Sequence, residues 1–226
     1  EFSLLTVVSG SSRWSLPIAQ DHKRIGEGDT GPNTGGMGAC SPVGWVSDDL
    51  LNQTEEQVVD RLLAQLGKEG RDFRGCLFSG LLVQDGTAFC LEYNVRFGDP
   101  ECQTVLRRLG GGFADLISTA SQGGAVSPLA VSPDPVVTLS LCSGGYPGPY
   151  AKDIPITFGD LPEGALVFHA GTKKGPEGGL LTNGGRALSV TGQGKTLADA
   201  RAIAYAAADQ VAFEGKTLRR DIASKQ

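Results

Sequence analysis

The stretch "FCLEYNVRFGDPE", residues 89–101, decides how the rest of the chain is read. It follows "GCLFSGLLV" (75–83), and the Asp85-Gly86 pair between the two apolar runs is a strong hairpin-turn signal, so residues 88–94 are expected to form a strand. Side chains alternate faces along a strand: Phe89, Leu91 and Tyr93 are expected on a face that packs, and Cys90, Glu92 and Asn94 on the other. Glu92 and Asn94 would then lie ~6.6 Å apart along the strand, within reach of one ion. A carboxylate and an amide oxygen are hard ligands suited to Mg²⁺, which fills its remaining positions with water and phosphate oxygens. The preceding strand brings no acid, which leaves two protein ligands. Arg96 continues the same parity if the strand persists, and its planar fork matches a phosphate or carboxylate. Asp99 and Glu101 follow directly. The same pattern also describes an edge strand whose glutamate and arginine are simply solvated.

A second stretch, "AQDHKRIGEGDTGPNTGGMGACSP" (19–42), has too few large apolar residues to supply a core. Its glycines let backbone N–H groups approach a ligand closely, and successive N–H groups form anion-binding concavities. Asn33 and Thr34 add side-chain donors. The loop is neither G-x-G-x-x-G after a strand nor a P-loop, because the terminal Gly-Lys-Ser/Thr is absent. Plain connection and ligand loop both remain open from these residues alone, and Lys23 and Arg24 read as solvated surface before they read as phosphate ligands.

The chain has 226 residues, 33 of them glycine, about twice the usual ~7%. Apolar periodic segments persist between the glycines and no G-x-y repeat appears, which argues against disorder and fibre. The formal net charge is −5 with no block of Lys or Arg, so nucleic acid is not expected as a partner. Five scattered cysteines without a C-x-x-C pair read as reduced thiols. No apolar run approaches the ~18 residues that span a bilayer, so no membrane partner is expected and a cytoplasmic location is. Met37 is the sole methionine, so the chain is expected to be a piece of a longer protein.

Along the chain, "EFSLLTVV" and "WSLPIA" read as a hairpin, with Pro17 near a sheet edge. Ser47 is a plausible N-cap for a helix over "SDDLLNQTEEQVVDRLLAQLGKEG", with Leu51, Val58, Leu62 and Leu66 at helical spacing. Pro100 sits in the first turn of a helix, and "FADLISTASQ" reads as another. "GGAVSPLAVSPDP" is a candidate domain boundary. Beyond it come the strands "VVTLSLC", "ALVFHAG" and "RALSVTG", then an Ala-rich helix capped by Thr196. The alternation supports a mixed α and β architecture without fixing strand order. His169 lacks a nucleophile partner and reads as structural or substrate-edge; Arg186 in "TNGGR" reads as facing substrate or solvent.

"QDHKRIGEGDTGPNTGGMG", "LEYNVRFGDPECQ", "GGYPGPY", "VFHAGT" and "TNGGR", in this order across almost the whole chain, resemble the glycinamide ribonucleotide synthetase (phosphoribosylamine–glycine ligase) family of the ATP-grasp superfamily. The resemblance implies an α+β fold: the second half of an ATP-grasp domain over residues 1–123, then a small mixed α/β domain over 124–226. It implies a ligase of purine synthesis that uses ATP to convert glycine to glycyl phosphate, which the amine of 5-phosphoribosylamine attacks. Carried over residue by residue, Glu92 and Asn94 match metal ligands for Mg²⁺ or Mn²⁺, and Arg96 falls beside the transferring phosphate. Asp21 and Lys23 match catalytic-region positions; His22, Asn33, Thr34, Gly35, Gly36, Gly38 and Asp99 match the substrate region. Positioning and charge neutralisation suffice for phosphoryl transfer, so no general base is nominated. In the family an amino-terminal lobe precedes the strand that begins at Glu1, so this chain is expected to be inactive alone. The other readings are a different ATP-grasp ligase or carboxylase, and a non-catalytic module derived from the fold.

Overall fold

The computed structural model describes residues 1–176 and 178–224. Strand β1 (Phe2–Ser9) is apolar and wholly buried, and it turns through Gly10 and Ser11 into β2 (Ser12–Ser15). The expected hairpin forms, and β2 is a sheet edge, although the strand is "SRWS" and Pro17 follows it. Three short strands carry the glycine-rich stretch: β3 (Gln20–Asp21), β4 (Arg24–Gly26) and β5 (Thr30–Asn33). β6 (Gly38–Ser41) closes it.

The long helix begins where Ser47 caps it, its hydroxyl accepting from the Leu50 N–H. It runs as α1 (Asp48–Thr54), a π-helical segment (Glu55–Asp60) and α2 (Arg61–Lys68). Val58 and Val59 are buried beneath it, where they meet Leu4, Val8, Leu77 and Leu81. β7 (Arg74–Gln84) and β8 (Thr87–Asn94) form the expected hairpin, with Asp85 and Gly86 both in the left-handed region that such a turn requires. α3 (Glu101–Leu106) starts after Pro100, and α4 (Phe113–Ser121) packs against β1 and β7 through Leu116 and Ala120.

The second half holds β9 (Val136–Cys142), β10 (Pro155–Phe158), β11 (Ala165–His169), β12 (Thr172–Lys174), β13 (Leu180–Thr182), β14 (Arg186–Gln193), α5 (Leu197–Asp209) and β15 (Val211–Ala212). Thr196 and Asp199 make a reciprocal capping box at the start of α5. Ala200, Ala204, Ala207 and Ala208 then lie flat on β9 and β14.

Two antiparallel sheets frame the molecule, β2-β1-β7-β8 and β11-β14-β9-β6-β3. The second crosses the linker: β3 and β6, from the glycine-rich stretch, pair into the sheet built by β9, β14 and β11. A buried Thr104 to Thr138 hydroxyl contact of 2.6 Å joins α3 to the same sheet. The glycine loop is therefore held by segments from both ends of the chain. Among the described residues no helix is long and apolar enough to cross a membrane.

Candidate functional site

β8 is an edge strand, and its pairing with β7 slips once: Gly80 opposes Glu92, and Leu81 opposes Cys90. Leu91 is the extra residue of a bulge, and the slip reverses the alternation expected from sequence. Cys90 shares a face with Leu81 and packs toward α1 and α2, whereas Glu92 and Asn94 face the other way with Gly80 and Phe78. The expected grouping of Cys90 with Glu92 is thus corrected; Glu92 and Asn94 do share a face. The apolar residues do not pack as expected either: Phe89 and Leu91 are each 52% exposed, and Tyr93 is 42% exposed while its hydroxyl donates to the Val58 carbonyl at 2.8 Å.

Gly80 leaves a cradle beneath the glutamate. A Cβ there would stand 3.1 Å from Glu92 Cγ, tighter than ordinary contact. Asn94 Nδ2 is buried and has no protein partner. The Glu92 carboxylate and the Asn94 amide oxygen are the oxygen ligands that a hard divalent cation takes, while the buried Nδ2 is a donor left for an acceptor such as a phosphate oxygen. The strand stops at Asn94, so Arg96 does not continue its parity. Arg96 is exposed, with Nη1 donating to the Phe97 carbonyl at 3.0 Å and Cζ 5.9 Å from the Phe78 ring centre.

The glycine loop folds back on the segment before it. The Thr34 N–H and hydroxyl both donate to the Lys23 carbonyl at 2.8 Å, and Thr34 Oγ1 accepts from the Gly36 N–H at 3.0 Å. The Met37 N–H reaches the His22 carbonyl, and the His22 N–H reaches the Gly38 carbonyl. Gly36 has φ +113°, and a Cβ on it would strike Pro100 and lie 2.8 Å from Asp21 Oδ1, so only glycine fits. Gly38 lies buried in β6, against the Thr138 carbonyl.

Asp21, His22, Lys23 and Asn33 come together with Arg24, Leu91 and Arg219 around a cavity of about 540 Å³. Asp21 Oδ1 is buried without a partner. Burial first, and then the charge of Glu101, push the Asp21 carboxyl well above its ordinary range, while Lys23 and Arg186 pull the other way. Glu101 is likewise raised by burial and accepts the Ser3 hydroxyl at 2.9 Å. His22 is lowered by burial and by the nearby Arg219, and its Nδ1 is unpartnered. The pair Asp21 and Glu101 gives the site two carboxyl groups that resist ionising together.

Sequence reasoning left three supports unassigned. Arg186, at the start of β14, donates through Nη1 to the Asp99 carbonyl at 2.7 Å, to Asp99 Oδ1 at 3.2 Å and to the Gly36 carbonyl at 3.4 Å. Tyr146 accepts from the Gly35 N–H at 2.9 Å. Arg219, whose side chain is 1% exposed, pairs with Asp29 and Asp221 and donates to the Arg24 carbonyl, pinning the β4–β5 ribbon from behind. The "TNGGR" and "GGYPGPY" strings were the available signal for the first two; Arg219 had none. His169 is exposed and bonds Thr172 at 3.2 Å, away from this cluster's hydrogen bonds.

Two family models match, both of phosphoribosylglycinamide synthetase: the ATP-grasp (A) domain over residues 1–102 and the C domain over residues 136–225. The chain belongs to that family. A phosphoribosylamine–glycine ligase of Agrobacterium fabrum is 41% identical over 98% of this chain and 53% of its own length. One from Thermotoga maritima is 43% identical over 99% of this chain and 54% of its own. The chain thus spans about half the length of the curated relatives it matches. A crystal structure of the Thermotoga maritima ligase superposes with a TM-score of 0.90 at 42% identity, covering 99% of this chain and 56% of that one. The Kluyveromyces lactis urea carboxylase superposes at 0.70 with 13% identity, which speaks to the shared fold alone. These likenesses agree with an ATP-grasp half-domain followed by a C domain.

Proposed function

We propose that this chain forms part of an ATP-dependent ligase of purine biosynthesis that joins glycine to 5-phosphoribosylamine, giving glycinamide ribonucleotide, ADP and phosphate. The carrying observation is the pairing of Glu92 and Asn94 on one face of an edge strand above the side-chain-free position at Gly80. In this reading Glu92 and Asn94 hold Mg²⁺ or Mn²⁺, which when bound supplies charge neutralisation for the polyphosphate of ATP. Lys23 and Arg96 carry the positive charge that steadies the transferring phosphoryl group, and Asp99, on the substrate side, orients Arg186 beside the loop. Asp21, His22 and Asn33 line the side on which glycine and the amine meet, with Thr34, Gly35, Gly36 and Gly38 shaping its wall. A carboxylate oxygen of glycine takes the γ-phosphoryl group and ADP leaves. The amine nitrogen then attacks the acyl carbon, phosphate departs, and one proton is released as the amide forms. Arrangement and charge supply most of the catalysis, as phosphoryl transfer requires.

The test is ADP formation by this chain joined to the preceding half that its relatives carry, with glycine, bicarbonate and formate compared as carboxylate substrates. ADP release that depends on both glycine and phosphoribosylamine supports the reading; release with bicarbonate or formate instead overturns it. Glu92→Gln, close to isosteric, is expected to lower metal-dependent turnover at least ~100-fold with the melting temperature unchanged, consistent with loss of one strong electrostatic contact.

A further inference from the structure

We propose that Arg186 is itself a substrate-binding residue, presenting the Nε–Nη2 edge of its guanidinium to a substrate oxyanion, either a carboxylate or a phosphoryl group. All three of its hydrogen bonds leave from Nη1, to the two Asp99 oxygens and the Gly36 carbonyl. Among the described residues nothing accepts from Nε or Nη2. The side chain is 20% exposed. Five donors in a fixed plane with one nitrogen spoken for leave the geometry that two parallel oxygens match.

Gly35 explains how the plane is held. A Cβ on Gly35 would stand 2.9 Å from Nη2, 3.0 Å from Cζ and 3.2 Å from Nε. Near-equal distances to all three atoms put the glycine over the face of the guanidinium rather than on its edge. Gly35 therefore covers one face of the guanidinium, the Nη1 bonds fix its rotation, and the in-plane Nε–Nη2 fork is left for a ligand. A clamp that served only the loop needs one donor; an arginine oriented on its face and at one nitrogen is prepared for a ligand at the other two. Asp99 meets the guanidinium only at Nη1, so the Nε and Nη2 donors keep their attraction for an oxyanion. Lysine lacks the planar fork and cannot replace it at such a site.

This inference rests on the ligase reading, and the experiment separates the two. In the chain joined to the preceding half, wild type and Arg186→Lys are compared for KM of glycine, KM of ATP, kcat and melting temperature. Lysine keeps the charge and the reach to Asp99 but loses the fork. A rise of about 10- to 100-fold in one KM, with kcat within about threefold and the melting temperature unchanged, is expected for the loss of a charged two-point contact. A rise for glycine identifies the carboxylate; a rise for ATP identifies the phosphoryl group. Both constants within twofold of wild type, or all parameters falling together with stability, would overturn the proposal. If the wild type makes no ADP, the ligase reading fails, and the Arg186 Nε–H resonance of this chain titrated with acetate and with inorganic phosphate still decides. A saturable shift with either supports the oxyanion fork, and no shift with both refutes it.

Discussion

Asp221→Asn tests whether a buried arginine at the C-terminal end holds the site's ribbon in place. Arg219 meets Asp221 through Nε at 2.8 Å and Nη2 at 2.7 Å, and Asp29 through Nη1 at 2.9 Å. Asp221 Oδ2 also accepts the Gly28 N–H at 2.8 Å, so one carboxylate ties the ribbon tip to the C-terminal segment. The Arg219 hydrogen bonds pull the Asp221 carboxyl down from 3.8 to about 2. At ~1.36 kcal/mol per unit this is worth roughly 2 kcal/mol. Solvent at this partly wet edge reduces it to about 1–2 kcal/mol, with Asp29 left as a partner for the arginine. Because the folded value lies below the unfolded one, the contribution is present above about pH 4 and is lost as pH falls through about 2. Urea unfolding of this chain followed by circular dichroism is expected to show the variant about 1–2 kcal/mol less stable at pH 7, with the gap closing between pH 4 and pH 2. Equal stability at pH 7, or a gap that persists undiminished at pH 2, would refute the reasoning.

Gly36→Ala sets a methyl group against Pro100 and Asp21 at a positive φ; a loss of about 2–4 kcal/mol is expected in chemical denaturation. Gly80→Ala intrudes on Glu92 without straining the strand. Stability within ~1 kcal/mol of wild type but a weaker apparent Mg²⁺ affinity, by about 2- to 10-fold in nucleotide titrations, is the expected pattern for a displaced side chain. Thr196→Ala removes the cap of α5 and should cost about 1 kcal/mol in the same unfolding assay, with no effect on nucleotide binding.

Most elements were legible because their signals are local. The Asp85-Gly86 turn, the Ser47 and Thr196 caps and the Ala-rich face of α5 are each written within a few residues, and each formed where expected. The bulge at Leu91 was not legible: strict alternation is the default for a strand, and the slip arises from pairing with Gly80, eleven residues upstream and across a turn. The exposure of Phe89 and Leu91 has the same origin, since a sequence gives the apolar pattern but not which sheet edge stays bare. The pairings of Arg186 and Arg219 were illegible in another way, although the TNGGR string had marked Arg186 as facing substrate or solvent. Their partners are 87 and 190 residues distant, at Asp99 and Asp29, and no local period encodes such pairs.

The placement of β3 and β6 explains why so polar and glycine-rich a stretch holds one conformation. Such a segment buries little apolar surface of its own and would be costly to order. Here its backbone groups are spent in pairing: β6 bonds to β9 from Gly38 to Ser41, and Gly36 gives its carbonyl to the Ser140 hydroxyl at 2.9 Å. Met37 drops into the core beside Leu139 and Leu141, and Ile25 packs against the same core from its edge. With the backbone fixed on that side, the glycines are free to face Arg186, Tyr146 and Pro100 at distances that a side chain would not allow. The ribbon's far end is fixed by Arg219. The site is consequently a property of the joint between the two sheets, and a change in β9, β14 or the C-terminal segment acts on it as directly as a change in the loop itself.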